Sequence, residues 1–98
     1  MIKELLAAVE YGDITKLSQI LNAENVNYAD EHGFTVAILA ARRGDLEMIK
    51  LAARYGADFN QKSSSGQTAL NWANINNNAE MIDFITQYSG TSKPGLKG

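Results

Sequence analysis

The sequence predicts an all-α fold in which three helix–turn–helix units stack into a short solenoid, with β-turn loops projecting from one side. The main observation is an internal repeat: seven residues recur at a fixed offset of 33 positions, among them Gly33 as Gly66 and Thr35 as Thr68. Signals for helix ends also recur at matching places. A repeat of this length predicts small units that cannot bury their apolar faces alone and therefore stack on one another.

The middle unit carries the clearest local signals. Thr35 is suited to cap the N-terminus of a helix over 36–43, because its hydroxyl can accept a hydrogen bond from a free backbone N–H. Gly44 suits the left-handed conformation that ends many helices. Asp45 can cap a second helix over 46–54 in the same way.

The unit boundaries follow from the same pattern, at about residues 1–29, 30–62 and 63–90. In the third unit Asn77 replaces the glycine at position 44, and asparagine tolerates the left-handed region better than most residues. In the first unit the offset falls to 32, which indicates one residue fewer between the second helix and the exit loop. Residues 91–98 are rich in glycine with one proline, and we expect a flexible tail there.

Composition narrows the function classes. The net charge is −2 with both signs scattered along the chain, which argues against nucleic acid as a partner. No apolar run is long enough to span a membrane. The chain has no cysteine and its N-terminus lacks the features of a secretory signal, so we expect a cytoplasmic protein.

These residues resemble the ankyrin repeat, over roughly residues 2–90. The matches are Gly33-x-Thr35, Gly44-Asp45-Leu46-Glu47 and the exit loop Gly56-Ala57-Asp58-Phe59-Asn60. The chain departs from the family at its proline, replaced by Val36 and Ala69, and at its histidine, replaced by Ile38 and Asn71. In the family that histidine joins neighbouring turns by hydrogen bonds. We therefore expect the fold to be kept and the turns to be held less tightly.

The resemblance implies a non-catalytic module, without cofactor or metal, that binds a protein partner of unknown identity. The implied surface is concave and consists of the projecting turns and the exposed face of the first helices. The residues that match it are Glu10 and Tyr11 in the first unit, Tyr28, Glu31, His32, Phe34, Arg42 and Arg43 in the second, and Ser64, Ser65, Gln67, Asn74 and Ile75 in the third.

Several of these residues have a structural interpretation as well. Phe34 is either an aromatic contact for a partner or a side chain that folds back onto a neighbouring unit. Arg42 and Arg43 end a helix, where positive charge also complements the helix dipole. Trp72 and the aligned pair Met48 and Met81 are interpreted as core residues.

Two alternatives remain open. The apolar residues Met81, Ile82, Phe84 and Ile85 could leave an exposed end that makes the chain an assembly subunit, although we expect a monomer in preference to a homo-oligomer. A hydrolase that uses Ser63, Ser64, Ser65 and His32 is the remote alternative. Nothing in the sequence orients a base toward those serines, so we do not expect an enzyme.

Overall fold

The computed structural model describes residues 2–92 and confirms the predicted all-α fold. Six helices occur in that range, and no strand is found within it. The helices are α1 (Ile2–Glu10), α2 (Ile14–Ile20), α3 (Val36–Arg43), α4 (Leu46–Arg54), α5 (Ala69–Ile75) and α6 (Ala79–Ser92).

The six helices form two layers. The first helices of the units, α1, α3 and α5, contact each other in order, and the second helices, α2, α4 and α6, do the same. Because α3 has a neighbour on both sides, residues 36–41 are all buried. Met48 and Met81 are fully buried, which confirms their interpretation as core residues.

The turn between the two helices of each unit has one repeated geometry. Gly12, Gly44 and Asn77 have φ angles of +71°, +79° and +53°, so the asparagine takes the predicted left-handed conformation. In each unit the next residue donates its N–H to a carbonyl five positions earlier, at 2.8–3.0 Å. Asp45 caps α4 as predicted, since its Oδ1 accepts from the N–H of Met48 at 3.2 Å.

Asn77 gives a direct test of that geometry. We expect Asn77→Gly to stabilise the chain by about 0.5 kcal/mol or more, because glycine adopts the left-handed region without steric cost. Asn77→Ala should instead lower the free energy of unfolding by about 1 kcal/mol. Urea unfolding followed by circular dichroism measures both changes, and equal midpoints for the two variants would contradict the prediction.

The projecting turns of units two and three are joined through their backbones. In the second unit, Oδ1 of Asp30 accepts from the N–H groups of His32 and Phe34, at 2.8 and 2.9 Å. The N–H of Ser64 in the next turn donates to the carbonyl of His32 at 2.9 Å. This backbone hydrogen bond does not depend on the side chain at position 38, where the family has its histidine. It therefore offsets, at these turns, the loosening expected from the loss of that histidine.

The exit loops of the first two units are also joined. Asn27 donates from its side chain to the carbonyl of Gly56 at 3.2 Å and accepts from the N–H of Asp58 at 2.7 Å. Gln61 donates from Nε2 to the carbonyl of Asn27 at 3.1 Å. Neither Asn27 nor Gln61 stood out in the sequence, although Asn27 recurs as Asn60 at the repeat offset.

The last helix differs from the sequence prediction. It runs to Ser92, two residues into the segment for which a flexible tail is expected, while 93–98 lie outside the described residues and the tail stays a prediction. Of the apolar residues questioned above, Met81 and Ile85 are buried, and Ile82 and Phe84 are half-buried against the core. None of the helices within residues 2–92 is both long and apolar enough to cross a membrane.

Candidate functional site

The predicted partner-binding residues are almost all accessible. Eleven of the thirteen are exposed, and the other two, Phe34 and Gln67, are half-buried. Among them Tyr11, Tyr28 and Ile75 are large apolar side chains with 83%, 49% and 54% of their surface exposed. This accessibility is required of a binding surface, but the contacts among the side chains decide what each one can do.

Five of these residues form a continuous row of side-chain contacts, which we call the concave row: Glu10, Arg42, Phe34, His32 and Glu31. Nη2 of Arg42 is 3.4 Å from Oε2 of Glu10, and its guanidinium carbon is 5.1 Å from the ring centroid of Phe34. The rings of Phe34 and His32 are 6.1 Å apart, and Nε2 of His32 is 3.5 Å from Oε2 of Glu31. The row thus runs from the end of α1 to the turn before α3.

Phe34 combines the two interpretations left open by the sequence. Its ring packs against the hydrophobic core, as the structural interpretation requires. It also lies under the guanidinium group of Arg42, within the distance at which a cation and an aromatic face attract each other. Phe34 therefore supports an exposed charged residue and is not itself a freely exposed aromatic anchor.

Arg43 has a structural role that Arg42 lacks. Its Nη1 donates to the carbonyl of Glu10 at 3.1 Å, at the C-terminal end of the preceding first helix. The aligned residue in the next unit, Asn76, donates from Nδ2 to the carbonyls of Ala41 and Arg42, both at 3.2 Å. Arginine and asparagine thus satisfy equivalent helix-end carbonyls between neighbouring units. The sequence did not predict this link between the units.

The two arginines should differ in their effect on stability. We expect Arg43→Ala to lower the free energy of unfolding by about 1 kcal/mol, because it removes a hydrogen bond between units. Arg42→Ala removes only exposed contacts and should cost about 0.5 kcal/mol or less. Urea titration of the two variants measures the difference. A larger loss for Arg42→Ala than for Arg43→Ala would mean that Arg42, and not Arg43, links the two units.

A recess of about 200 Å³ lies between α1 and α3. Its lining residues are Val9, Glu10, Leu39, Arg42 and Arg43. Small-molecule sites usually enclose roughly 300–1,000 Å³. The recess is therefore of a size to accept a single side chain of a partner.

In the third unit, the predicted residues contribute unequally. Ile75 occupies the position equivalent to Arg42 and is exposed. Asn74 turns back on its own helix, where Nδ2 donates to the carbonyl of Leu70 at 3.1 Å. Tyr28 lies in the loop after α2, outside the concave row. Trp72 packs against the core as predicted, although its Nε1 is buried and has no hydrogen-bond partner within residues 2–92.

A family model described as ankyrin repeats (3 copies) matches residues 5–95. The chain belongs to the ankyrin repeat family. The match covers all three helix pairs and confirms the resemblance seen in the sequence.

Individual ankyrin proteins are similar over parts of their length. Human protein phosphatase 1 regulatory subunit 27 is 33% identical over 67 residues, which are 66% of this chain and 44% of the relative. Mouse ankyrin repeat and MYND domain-containing protein 1 is 34% identical over 70 residues, 69% of this chain and 8% of the relative. Human BCL-6 corepressor-like protein 1 is 27% identical over 82 residues, which are 84% of this chain and 5% of the relative. The chain thus spans less than half the length of these relatives.

The three serines at positions 63–65 form part of a turn of this ankyrin array. Oγ of Ser63 is 3.0 Å from Oγ of Ser65, and it also accepts from the N–H of Gln67 at 3.4 Å. His32 lies at the neighbouring turn, as its carbonyl contact with Ser64 shows, yet within residues 2–92 its imidazole is paired with Glu31 and makes no hydrogen bond to a serine hydroxyl. The base and nucleophile geometry that a serine hydrolase needs is not formed by these side chains.

Proposed function

We propose that this ankyrin array is a non-catalytic module that binds a protein partner through its concave surface. One observation carries the proposal: the equivalent positions 10, 42 and 75 present an acidic, a basic and an apolar side chain, all exposed. The adjacent positions 43 and 76 hold the stack together. A surface that varies beside a constant framework fits recognition of one partner.

The names of two relatives support the same role. One is called a regulatory subunit and another a corepressor-like protein. We infer a cytoplasmic location, because a chain without cysteine has no disulfide that would require an oxidising compartment.

Site-directed photo-crosslinking tests the proposed surface. A photoreactive amino acid is placed at position 42 or 75 in the full chain, and a control carries it at Arg54, which also lies in the last turn of a helix but lines the opposite surface between α2 and α4. In native lysate we expect positions 42 and 75 to capture the same proteins, with excess unlabelled chain competing and Arg54 capturing none of them. Equal capture from position 54 would show that the concave surface is not the binding face.

The alternative of an assembly subunit makes a different prediction. Because Met81 and Ile85 are buried within the array, little apolar surface at α6 is left to drive association. We expect light scattering of the purified chain to give a monomer of 10.7 kDa. A stable dimer or larger species at micromolar concentration would favour the assembly role instead.

A further inference from the structure

Arg42 presents a guanidinium group that is held in place and still has free hydrogen-bond donors. The ring of Phe34 lies beneath it, and Glu10 contacts one of its nitrogens. A guanidinium carries five N–H donors, and no second acceptor within residues 2–92 reaches those of Arg42. The side chain is 39% exposed. A carboxylate can therefore bind its open edge, and the contacts with Phe34 and Glu10 already restrict the side chain before binding.

Ile75 provides an apolar contact next to this charge. It lies at the equivalent position of the third unit, and its neighbour Asn76 contacts the carbonyl of Arg42. The C-terminal ends of α3 and α5 are therefore adjacent. An exposed isoleucine beside a pre-positioned arginine favours a partner segment that carries an apolar and an acidic residue.

The spacing between units restricts the conformation of that segment. Packed helices lie about 8–10 Å apart, so the side chains at positions 42 and 75 are separated by about that distance. A polyproline II chain advances about 3.1 Å per residue with three residues per turn, which places residues i and i+3 on one side about 9 Å apart. In a β-strand the same two residues would point to opposite sides.

We propose that the partner segment is extended and polyproline II-like, with an acidic residue bound to Arg42 and an apolar residue three positions away packed on Ile75. This inference rests on the proposed function, since it names the chemistry that the concave surface recognises. The recess beside Arg42 gives the acidic side chain room to reach the guanidinium edge.

Selection from a library of random dodecapeptides displayed on phage, with the full chain as bait, tests the proposal. We expect the selected peptides to be enriched in Asp or Glu with an apolar residue three positions away. Arg42→Ala should weaken binding of these peptides at least tenfold, and the matched control Arg54→Ala should leave it unchanged. The exchange Glu10→Arg with Arg42→Glu keeps the net charge but moves the cation one unit further from Ile75. Peptides selected on that variant should have a spacing of about six residues.

The outcomes separate this inference from the proposed function. Peptides that lose binding on Ile75→Asp but contain no acidic residue overturn the inference and leave the concave surface as the binding face. An unchanged spacing on the exchanged variant also overturns it. If no peptide is enriched, the inference fails, and photo-crosslinking at positions 42 and 75 decides the proposed function. If the selected peptides respond to neither Arg42 nor Ile75, the inference and the proposed function both fail.

Discussion

Replacing Gly33 with alanine should destabilise the array by roughly 2–5 kcal/mol, the sum of two costs. The φ angle of Gly33 is +79°, where a β-carbon costs about 1–2 kcal/mol. The new β-carbon would also lie 2.8 Å from the backbone nitrogen of Ser64 and 2.9 Å from the Cα of Ser63. Because backbone atoms of the next turn must move, overpacking adds about 1–3 kcal/mol.

Gly66→Ala is the matched control for this prediction. Gly66 is the repeat equivalent, with a φ angle of +83°, but a β-carbon there would meet nothing within 4 Å. Only the backbone cost of about 1–2 kcal/mol should apply. Urea unfolding gives the free energy of unfolding of both variants. The difference between their losses measures the effect of the close approach between the two turns. Equal losses would mean that the contact between the turns contributes nothing to stability.

Ile49→Ala should cost about 2–5 kcal/mol, because Ile49 is fully buried in the central unit. A three-unit array is expected near the low end of the usual range of about 5–15 kcal/mol, so this loss removes much of its stability. The equivalent change in the last unit, Ile82→Ala, should cost only about 1 kcal/mol, because Ile82 is half-buried and less of its apolar surface is removed from water.

Thermal unfolding of the two isoleucine variants gives the comparison. The two substituted positions are equivalent in the repeat, but a further unit covers only the one in the middle unit. The ratio of the two losses in unfolding free energy therefore measures how much a unit is stabilised by its neighbours. A loss for Ile82→Ala as large as that for Ile49→Ala would mean that the last unit is as well packed as the middle one.

The helix ends could be predicted because their causes are local. Thr35, Gly44 and Asp45 each determine the conformation of their own backbone or of residues three positions away, and Asn77 retains the same conformation in the third unit. Helix α6 ends two residues beyond the boundary predicted at about residue 90. Each residue added to an existing helix gains a hydrogen bond, and the one glycine at position 90 costs only about 1 kcal/mol.

The roles within the candidate site were harder to separate. Arg42 and Arg43 are neighbours in the last turn of one helix, and both complement its dipole. Only the direction of each side chain shows that Arg43 reaches the end of α1 while Arg42 lies on Phe34. Arg43 and Asn76 both donate to equivalent helix-end carbonyls. Because they are different residue types, their alignment in the sequence does not reveal this shared role. The repeat was enough to select the exposed positions of the candidate site, but the contacts of each side chain required the structure.

The bonds from Arg43 and Asn76 to the preceding helix also affect how this chain can change over generations. Since they hold neighbouring units together, the side chains at positions 10, 42 and 75 contribute little to that task, and the pair between Glu10 and Arg42 is exposed. If the concave surface binds the proposed partner, single codon changes at these positions can alter its binding preference at little cost in stability. The same three codons are the natural choice for a randomised library built on this scaffold.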